Sequence, residues 1–425
     1  CYDLPSMPGR LLAPPRRHAC RLIAACVALL AAAGCGASSP ASTIEQARRL
    51  REAGRPAEAA VLLTGLVKRA PRDFAARYEL AQAWHAAGRE EDALTEVASA
   101  IEINPASPDA RLFRADVLAA LGRNDEALSE LRQVVAANPS RAGVHRRMGI
   151  IHAKAGRMEQ SVNQFEKELA VNPKDADTLT ELGVFFFQAG KVQEAAERLE
   201  RAVSLAPGSA RALQFLGEAR IKQSRYQEGL DLQTRALEAD PKNVQLVVNH
   251  AAALESYGDP HDAEAVLKTA LDRGLKDERI YIQLGKHYRG RLRFDEAMAT
   301  LERAIEIVPG NGEAHFELGK TYRSQGKYDE ALKEFQEASR LAPSDPYAYY
   351  YIGSIIASRG GLEEAVTLFR RSLELDPLNP KAHYALAQAL QKTGRREEAA
   401  REFAVHADLL KRLRESKHEG VATAD

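Results

Sequence analysis

Residues 314–321, AHFELGKT, carry the residue types that hold a nucleotide phosphate. They fit a loose phosphate-loop pattern, with alanine in place of the first glycine; in such loops free backbone N–H groups and a lysine contact the phosphate. The chemistry requires a loop between a strand and a helix. The periodicity described below places this segment inside a helix, where the N–H groups are already hydrogen-bonded, so we predict no nucleotide site.

Other residues that could act as metal ligands or catalysts form no recognisable set. Three of the eleven histidines, His145, His315 and His383, recur at one position of a 34-residue period, which indicates packing rather than metal binding. The sequence has no H-E-x-x-H or G-x-S-x-G motif, and its four cysteines all lie between Cys1 and Cys35. A thiolate zinc site and a catalytic thiol are therefore excluded beyond Cys35. We predict no enzyme activity, no metal and no cofactor.

The charge balance gives no general attraction for nucleic acid. The 425 residues include 59 Lys and Arg against 59 Asp and Glu, a formal net charge of zero. Residues 1–34 contain four arginines and one aspartate, so the remainder carries a formal charge of −3. Binding to a phosphate backbone depends on an excess of cations. We therefore predict no nucleic-acid partner.

Residues 1–34 have the organisation of a secretory signal peptide. Four arginines precede the apolar residues 22–33, and small residues follow. The apolar run is shorter than the roughly 20 residues that span a bilayer. The first methionine is Met7, so a wrongly assigned start remains an alternative. In that case the protein would be a soluble periplasmic or cytosolic adaptor.

The sequence Ala32-Ala33-Gly34-Cys35 resembles the lipobox of bacterial lipoproteins, with alanine where leucine is usual. The resemblance implies cleavage before Cys35, lipid attachment to its thiol and a flexible tether over residues 35–39. It also implies the outer membrane, facing the periplasm, because Gly36 rather than aspartate follows the cysteine. Ordinary signal peptidase cleavage, which would leave Cys35 as a free thiol, is the alternative.

Residues 40–413 repeat with a period of 34. Nine prolines mark the period, with one gap at Leu275: Pro71, Pro105, Pro139, Pro173, Pro207, Pro241, Pro309, Pro343 and Pro377. When this proline is numbered position 32, the chain divides into eleven consecutive units of 34 residues, the first of which begins at residue 40. Positions 8 and 20 are small in every unit, and position 24 is usually bulky. A fixed period of this length indicates a stack of identical structural units.

Each unit has the pattern of two helices. Positions 4, 7, 8 and 11 form one helical stripe, as in Tyr281, Leu284, Gly285 and Tyr288. A glycine near position 15 predicts a left-handed cap after the first helix, and the proline ends the second. The small residues at positions 8 and 20 predict a close approach of the two helices. Ser42 and Glu45 predict a capping box that opens the first unit.

The spacing, the small positions and the proline together resemble the tetratricopeptide repeat. The resemblance implies an all-α, right-handed superhelical solenoid of eleven helix pairs over residues 40–413, followed by a tail over 414–425. It also implies a concave surface that binds partner proteins and is lined by positions 2, 5, 9, 12 and 13.

This concave surface is basic and aromatic in repeats eight to eleven. The candidate groove residues are Arg279, Lys286, Arg289, Phe316, Lys320, Arg323, Tyr347, Tyr350 and Tyr384. Cations beside aromatic rings favour an acidic or carboxylate-ending peptide segment. The alternative is a charged face that contacts only solvent.

Repeats six and seven depart from the pattern. Gln233 occupies the bulky position 24, Arg220 and His250 occupy core positions, and Leu275 replaces the proline. Because apolar burial is lost there, we expect residues 210–277 to be less stable than the other repeats.

The sequence as a whole thus predicts a non-catalytic scaffold that binds partner proteins or peptides at the bacterial cell envelope, in an assembly, secretion or export system. A lipid on Cys35 would attach it to the membrane. Besides the soluble adaptor, the alternative is a regulatory or substrate-recruiting subunit of an enzyme complex.

Overall fold

The computed structural model describes residues 39–422, with side chains described through residue 415. These residues form 22 α-helices and contain no β-strand. The all-α prediction of eleven helix pairs is confirmed. The predicted signal peptide and Cys35 lie outside the described residues.

Backbone contacts divide the chain into two compact units, residues 1–171 and 172–425. The described part of the first unit consists of four helix pairs: α1 (Pro40–Glu52) with α2 (Pro56–Arg69), α3 (Phe74–Ala86) with α4 (Glu90–Ile103), α5 (Pro108–Ala120) with α6 (Asn124–Ala137), and α7 (Val144–Lys154) with α8 (Met158–Val171). Within a pair the helices pack on each other, and the second helix of each pair packs on the first helix of the next.

The described part of the second unit consists of seven pairs stacked in the same way. They are α9 (Ala176–Gln188) with α10 (Val192–Leu205), α11 (Ala210–Lys222) with α12 (Tyr226–Ala239), α13 (Val244–Tyr257) with α14 (Pro260–Asp272), α15 (Glu278–Gly290) with α16 (Phe294–Ile307), α17 (Gly312–Ser324) with α18 (Tyr328–Leu341), α19 (Pro346–Ser358) with α20 (Leu362–Leu375), and α21 (Pro380–Lys392) with α22 (Arg396–Ala422). Helix α22 continues past residue 413 into the predicted tail.

Polar residues at position 34 open most of the first helices. Asn311, for example, accepts hydrogen bonds from the backbone N–H groups of Glu313 and Ala314 at 3.0 and 3.1 Å. Such caps satisfy N–H groups that have no partner within the helix. Helix α1 follows the same rule: it begins at Pro40 after Ser39, whose hydroxyl accepts from the N–H of Ser42. The capping box predicted at Ser42 and Glu45 is therefore wrong, because Ser42 already lies inside the helix.

The predicted left-handed caps at position 15 are present in most repeats. The φ angle is +71° at Gly88 and +88° at Gly360. This conformation lets the N–H of Arg89 reach the carbonyl of Trp84 at 2.9 Å, which closes the end of α3. Two repeats place other residues there, Ser224 with φ of 63° and Leu292 with φ of 60°.

Replacing Leu292 by glycine is expected to raise the free energy of unfolding by about 0.5–1 kcal/mol. The left-handed conformation costs an L-residue roughly 1–2 kcal/mol, of which the greater backbone entropy of glycine offsets part. Leu292 is 73% exposed, so little packing is lost. Urea unfolding followed by circular dichroism measures the effect. Leu292→Ala keeps the Cβ atom and should show no such gain; an equal gain would contradict this explanation.

The core of most pairs is closed by a bulky apolar residue at position 24. A Cβ atom added to Gly183, at position 8, would lie 2.5 Å from Cγ of Leu199, and one added to Gly149 would lie 2.6 Å from the Phe165 ring. Position 20 also approaches position 8, as predicted: the hydroxyl of Ser161 donates to the carbonyl of Gly149 at 2.9 Å. The small residue at position 8 is therefore required chiefly by the side chain at position 24.

In repeats six and seven, hydrogen bonds replace apolar contacts in the core. Gln233 and His250 are both buried. Nδ1 of His250 lies 3.4 Å from Oε1 of Gln233, and Nε2 lies 3.2 Å from the hydroxyl of Thr234. Gly258 lacks the left-handed cap, with φ of −120°. Polar groups that face each other in this way avoid the cost of unpaired burial.

We expect residues 210–277 to lose protection from hydrogen exchange as the pH falls. Burial lowers the pKa of His250, an effect that Asp262 partly opposes. The unfolded chain therefore binds a proton on His250 more tightly than the folded chain does. The contribution of neutral His250 to the stability of the fold is complete above pH about 6.5 and is lost as the pH falls below it. Exchange at pH 7 and 5.5, corrected for intrinsic rates, tests this in the wild type and in His250→Gln. Uniform, pH-independent protection in the wild type would contradict the expectation.

Candidate functional site

Helices α15 and α17 bring two of the candidate groove residues, Arg289 and Lys320, around one buried carboxylate. Glu317 is 5% exposed. Its oxygens lie 3.0 Å from Nη2 of Arg289 and 3.0 Å from Nζ of Lys320. Lys286 forms an ion pair with Glu313 on the same face. The cations are thus fixed in position by acids of the chain itself.

Burial disfavours the charged form of one of these cations. Lys320 is partly buried, and burial lowers the pKa of its ammonium group while the neighbouring Glu317 raises it. Nζ of Lys320 also lies 5.4 Å from the ring centre of Phe316. The carboxylate of Glu317 and the ring of Phe316 therefore favour the charged form of Lys320, which burial disfavours.

Aromatic rings extend this row of cations into α19. We call the row the strip; it consists of Lys286, Arg289, Phe316, Lys320, Arg323, Tyr350 and Tyr351. The ring of Tyr351 lies 5.6 Å from that of Phe316 and stacks on that of Phe335 at 5.0 Å. The guanidinium of Arg323 lies 4.8 Å from the centre of the Tyr351 ring. The sequence interpretation missed Tyr351, which links the basic part of the strip to Tyr350.

A cavity of 530 Å³ lies beyond this strip, between repeats ten and eleven. Tyr350 and Tyr384 line it, together with Phe369, Lys381 and Lys392. None of its lining residues is acidic. The cavity can therefore accept an apolar side chain and place cations near a carboxylate.

Two candidate residues lie apart from this arrangement. Arg279 is bound by Asp277 at 2.8 Å, next to the start of α15. Tyr347 is 48% exposed at the start of α19, and it is not among the residues that line the cavity.

The structure explains the recurring histidines by packing. At position 4 of their repeats, His145, His315 and His383 contact side chains at position 23 through Nδ1. The partners are Gln164 at 2.8 Å, Glu334 at 2.7 Å and Glu402 at 2.6 Å, respectively. Within the described part of the chain, no group of three His, Cys, Asp or Glu residues is placed to hold a metal. Residues 314–321 lie inside α17, as the periodicity predicted.

The acidic residues at position 6 were also missed. In repeat two, Glu79 is buried between Arg48 and Arg51, and its oxygens lie 2.6 and 3.1 Å from their nitrogens. Glu317 has the same place in repeat nine. Positions 2, 6, 9 and 13 are spaced as one helical stripe, so a reading of that stripe would have found these acids.

No helix within residues 39–422 combines the length and apolar character needed to cross a membrane. What the described residues form is a helix-pair repeat protein with a polar and aromatic inner strip. Three sequence profiles of the tetratricopeptide repeat match it. One matches residues 146–210, 181–244 and 316–380, a second 50–117, 86–149 and 358–408, and a third 276–344. Together they cover more than half of the chain, which belongs to the tetratricopeptide repeat family.

The structure is also similar to a chain in the crystal structure of the APC/C hetero-tetramer Cut9-Hcn1. The TM-score is 0.43 at 17% sequence identity, and the match covers 88% of this chain and 80% of that chain. A search of curated protein sequences found no match. The fold assignment accordingly rests on the helix pairs and the repeat profiles.

Proposed function

We propose that this protein is a scaffold at the bacterial cell envelope that binds an acidic segment of a partner protein along the inner face of repeats eight to eleven. Tetratricopeptide repeat proteins bind other proteins or peptides, and they are typically non-catalytic scaffolds. The observation that carries the proposal is the strip itself: fixed cations lead past aromatic rings into a cavity without acidic lining.

The charges on the strip favour an acidic partner. Of its four cations, Lys286, Arg289 and Lys320 form ion pairs with the two carboxylates of Glu313 and Glu317, and Arg323 lies over the ring of Tyr351. The cavity adds Lys381 and Lys392. An excess of cations steers an acidic segment toward the strip and disfavours basic ones. The rings give such a segment apolar contact area.

The double charge reversal Arg323→Glu with Lys381→Glu is expected to reduce partner capture by about tenfold or more, since like charges across an interface repel. Both side chains are exposed, and neither contacts Glu317. Arg289 is left intact because its reversal would place two carboxylates together. Capture is measured in cells with a photo-crosslinking residue at Ser354, which lines the cavity.

The control is Arg201→Glu with Arg235→Glu, which reverses two exposed arginines on the second helices α10 and α12. It should leave the crosslinked species unchanged. If both double variants crosslink like the wild type, the strip contacts only solvent and the proposal fails.

The envelope location rests on the order of residues in the leader and on Cys35. In a bacterial host, labelling with palmitate should mark the wild type and place it in the outer-membrane fraction, whereas Cys35→Ala should be unlabelled. An unlabelled, soluble wild type would instead support the adaptor. This test is independent of the crosslinking test, so either part of the proposal can fail alone.

A further inference from the structure

A second cavity, of 760 Å³, lies among α12, α13 and α14 in repeats six and seven. We call it the outer groove. Its lining consists of Thr234, Leu237, Glu238, Pro241, Lys242, Val247, His250, Ala265, Val266, Thr269, Ala270, Arg273 and Leu275. None of these residues occupies an inner-face position of its repeat. The outer groove is therefore separate from the proposed partner site.

Two of the departures from the repeat pattern, His250 and Leu275, line the outer groove. His250 lies in its floor in place of an apolar core residue, and Leu275 lines it where other repeats have proline. Thr234, which is bonded to His250 at 3.2 Å, also lines it. Two of the residues that break the repeat pattern therefore help to shape the cavity.

The walls are apolar and offer few hydrogen bonds. Leu237, Val247, Val266, Ala270 and Leu275 are among its apolar lining residues. The backbone of the three helices is already hydrogen-bonded within each helix. An extended peptide would bring N–H and C=O groups that find no main-chain partners here, at a cost for each unpaired group. A ligand with a long apolar part and a single polar end avoids that cost.

The charges around the outer groove match a single carboxylate. Lys242 and Arg273 line it against one acid, Glu238, so the lining carries one net positive charge when His250 is neutral. Burial lowers the pKa of His250, which keeps it neutral near pH 7. Lys242 and Arg273 are exposed at the rim, where their charges remain available to a ligand.

We propose that the outer groove binds a medium-chain fatty acid, with the acyl chain along Leu237, Val247 and Val266 and the carboxylate at Lys242 and Arg273. The volume lies within the range of about 300–1,000 Å³ that is usual for small-molecule sites. The proposal does not depend on what binds the inner strip.

Isothermal titration of the full chain with dodecanoate tests this. We expect saturable binding of one equivalent, and about tenfold weaker binding to Lys242→Ala with Arg273→Ala, because exposed cation–carboxylate pairs contribute modestly. Dodecan-1-ol should bind both proteins equally. The matched control is Lys276→Ala with Arg235→Ala, which removes the same charges outside the outer groove and should bind dodecanoate like the wild type.

A second variant tests the position of the acyl chain. Thr269 is exposed and lines the outer groove, so Thr269→Trp should fill the cavity without entering the core and should abolish binding. Circular dichroism and thermal unfolding establish that each variant is folded. The proposal is overturned if the wild type does not bind dodecanoate, or if Thr269→Trp binds it as well as the wild type does. Equal loss in both double variants would also overturn it.

Discussion

Replacing Gly319 by leucine is expected to lower the free energy of unfolding by about 1–3 kcal/mol, the usual cost of adding volume to a packed core. A Cβ atom at this position would lie 2.9 Å from the ring of Phe335, which is fully buried. The ring is buried and stacks on Tyr351 at 5.0 Å, so a shift of the ring would disturb that contact. The loss should therefore appear in urea unfolding and should be independent of any nucleotide.

Gly65→Leu is the matched control. Gly65 also lies inside a helix, α2, but an added Cβ atom there meets nothing within 4 Å. Leucine favours the helix more than glycine does, so this variant should gain up to about 1 kcal/mol. If the two variants changed stability in the same direction, the effect would reflect helix propensity and the packing argument would fail.

Replacing Glu317 by alanine is expected to cost about 2–3 kcal/mol. Removing one partner of a buried ion pair costs about 3–5 kcal/mol because the remaining charge is left unpaired. The side chains of Arg289 and Lys320 are each 24% exposed, so water recovers part of that loss. Both cations should also become less ordered. Partner capture should therefore fall even though the net positive charge of the strip increases.

Glu313→Ala serves as the control because Glu313 is 55% exposed in its pair with Lys286. Exposed pairs contribute about 0–1 kcal/mol, so this change should scarcely affect stability. Glu317→Gln adds a further comparison, since it keeps the shape and one hydrogen-bond acceptor while removing the charge. Equal stability of Glu317→Ala and Glu313→Ala would show that the buried carboxylate does not organise the strip.

The prediction for Glu317 connects stability to function. A purely basic strip would attract an acidic segment, but its long side chains would sample many positions. In this protein Glu317 fixes two of them, and the ring of Phe316 lies against Lys320. Ordering the cations before binding reduces the entropy lost when a partner binds.

The helix boundaries could be predicted from the sequence because their signals are local. The glycine at position 15, the proline at position 32 and the polar caps at position 34 act within one turn of the residues they affect. One boundary error concerned Ser42, where a second capping pattern lies three residues inside the true one. Even the departures at Gln233, His250 and Leu275 were visible as breaks in the period.

The sequence by itself thus determined the repeat and its eleven helix pairs, whereas the partner-binding face stays a prediction from the family resemblance. Only the tertiary structure decided that Glu317 is buried between two cations, that Tyr351 joins the aromatic strip and that His250 lines an outer groove. The physical reason is distance along the chain. Arg289 and Glu317 are 28 residues apart, and their contact depends on how one repeat packs on the next. That packing is set by side-chain volumes across the interface, which a 34-residue period does not specify.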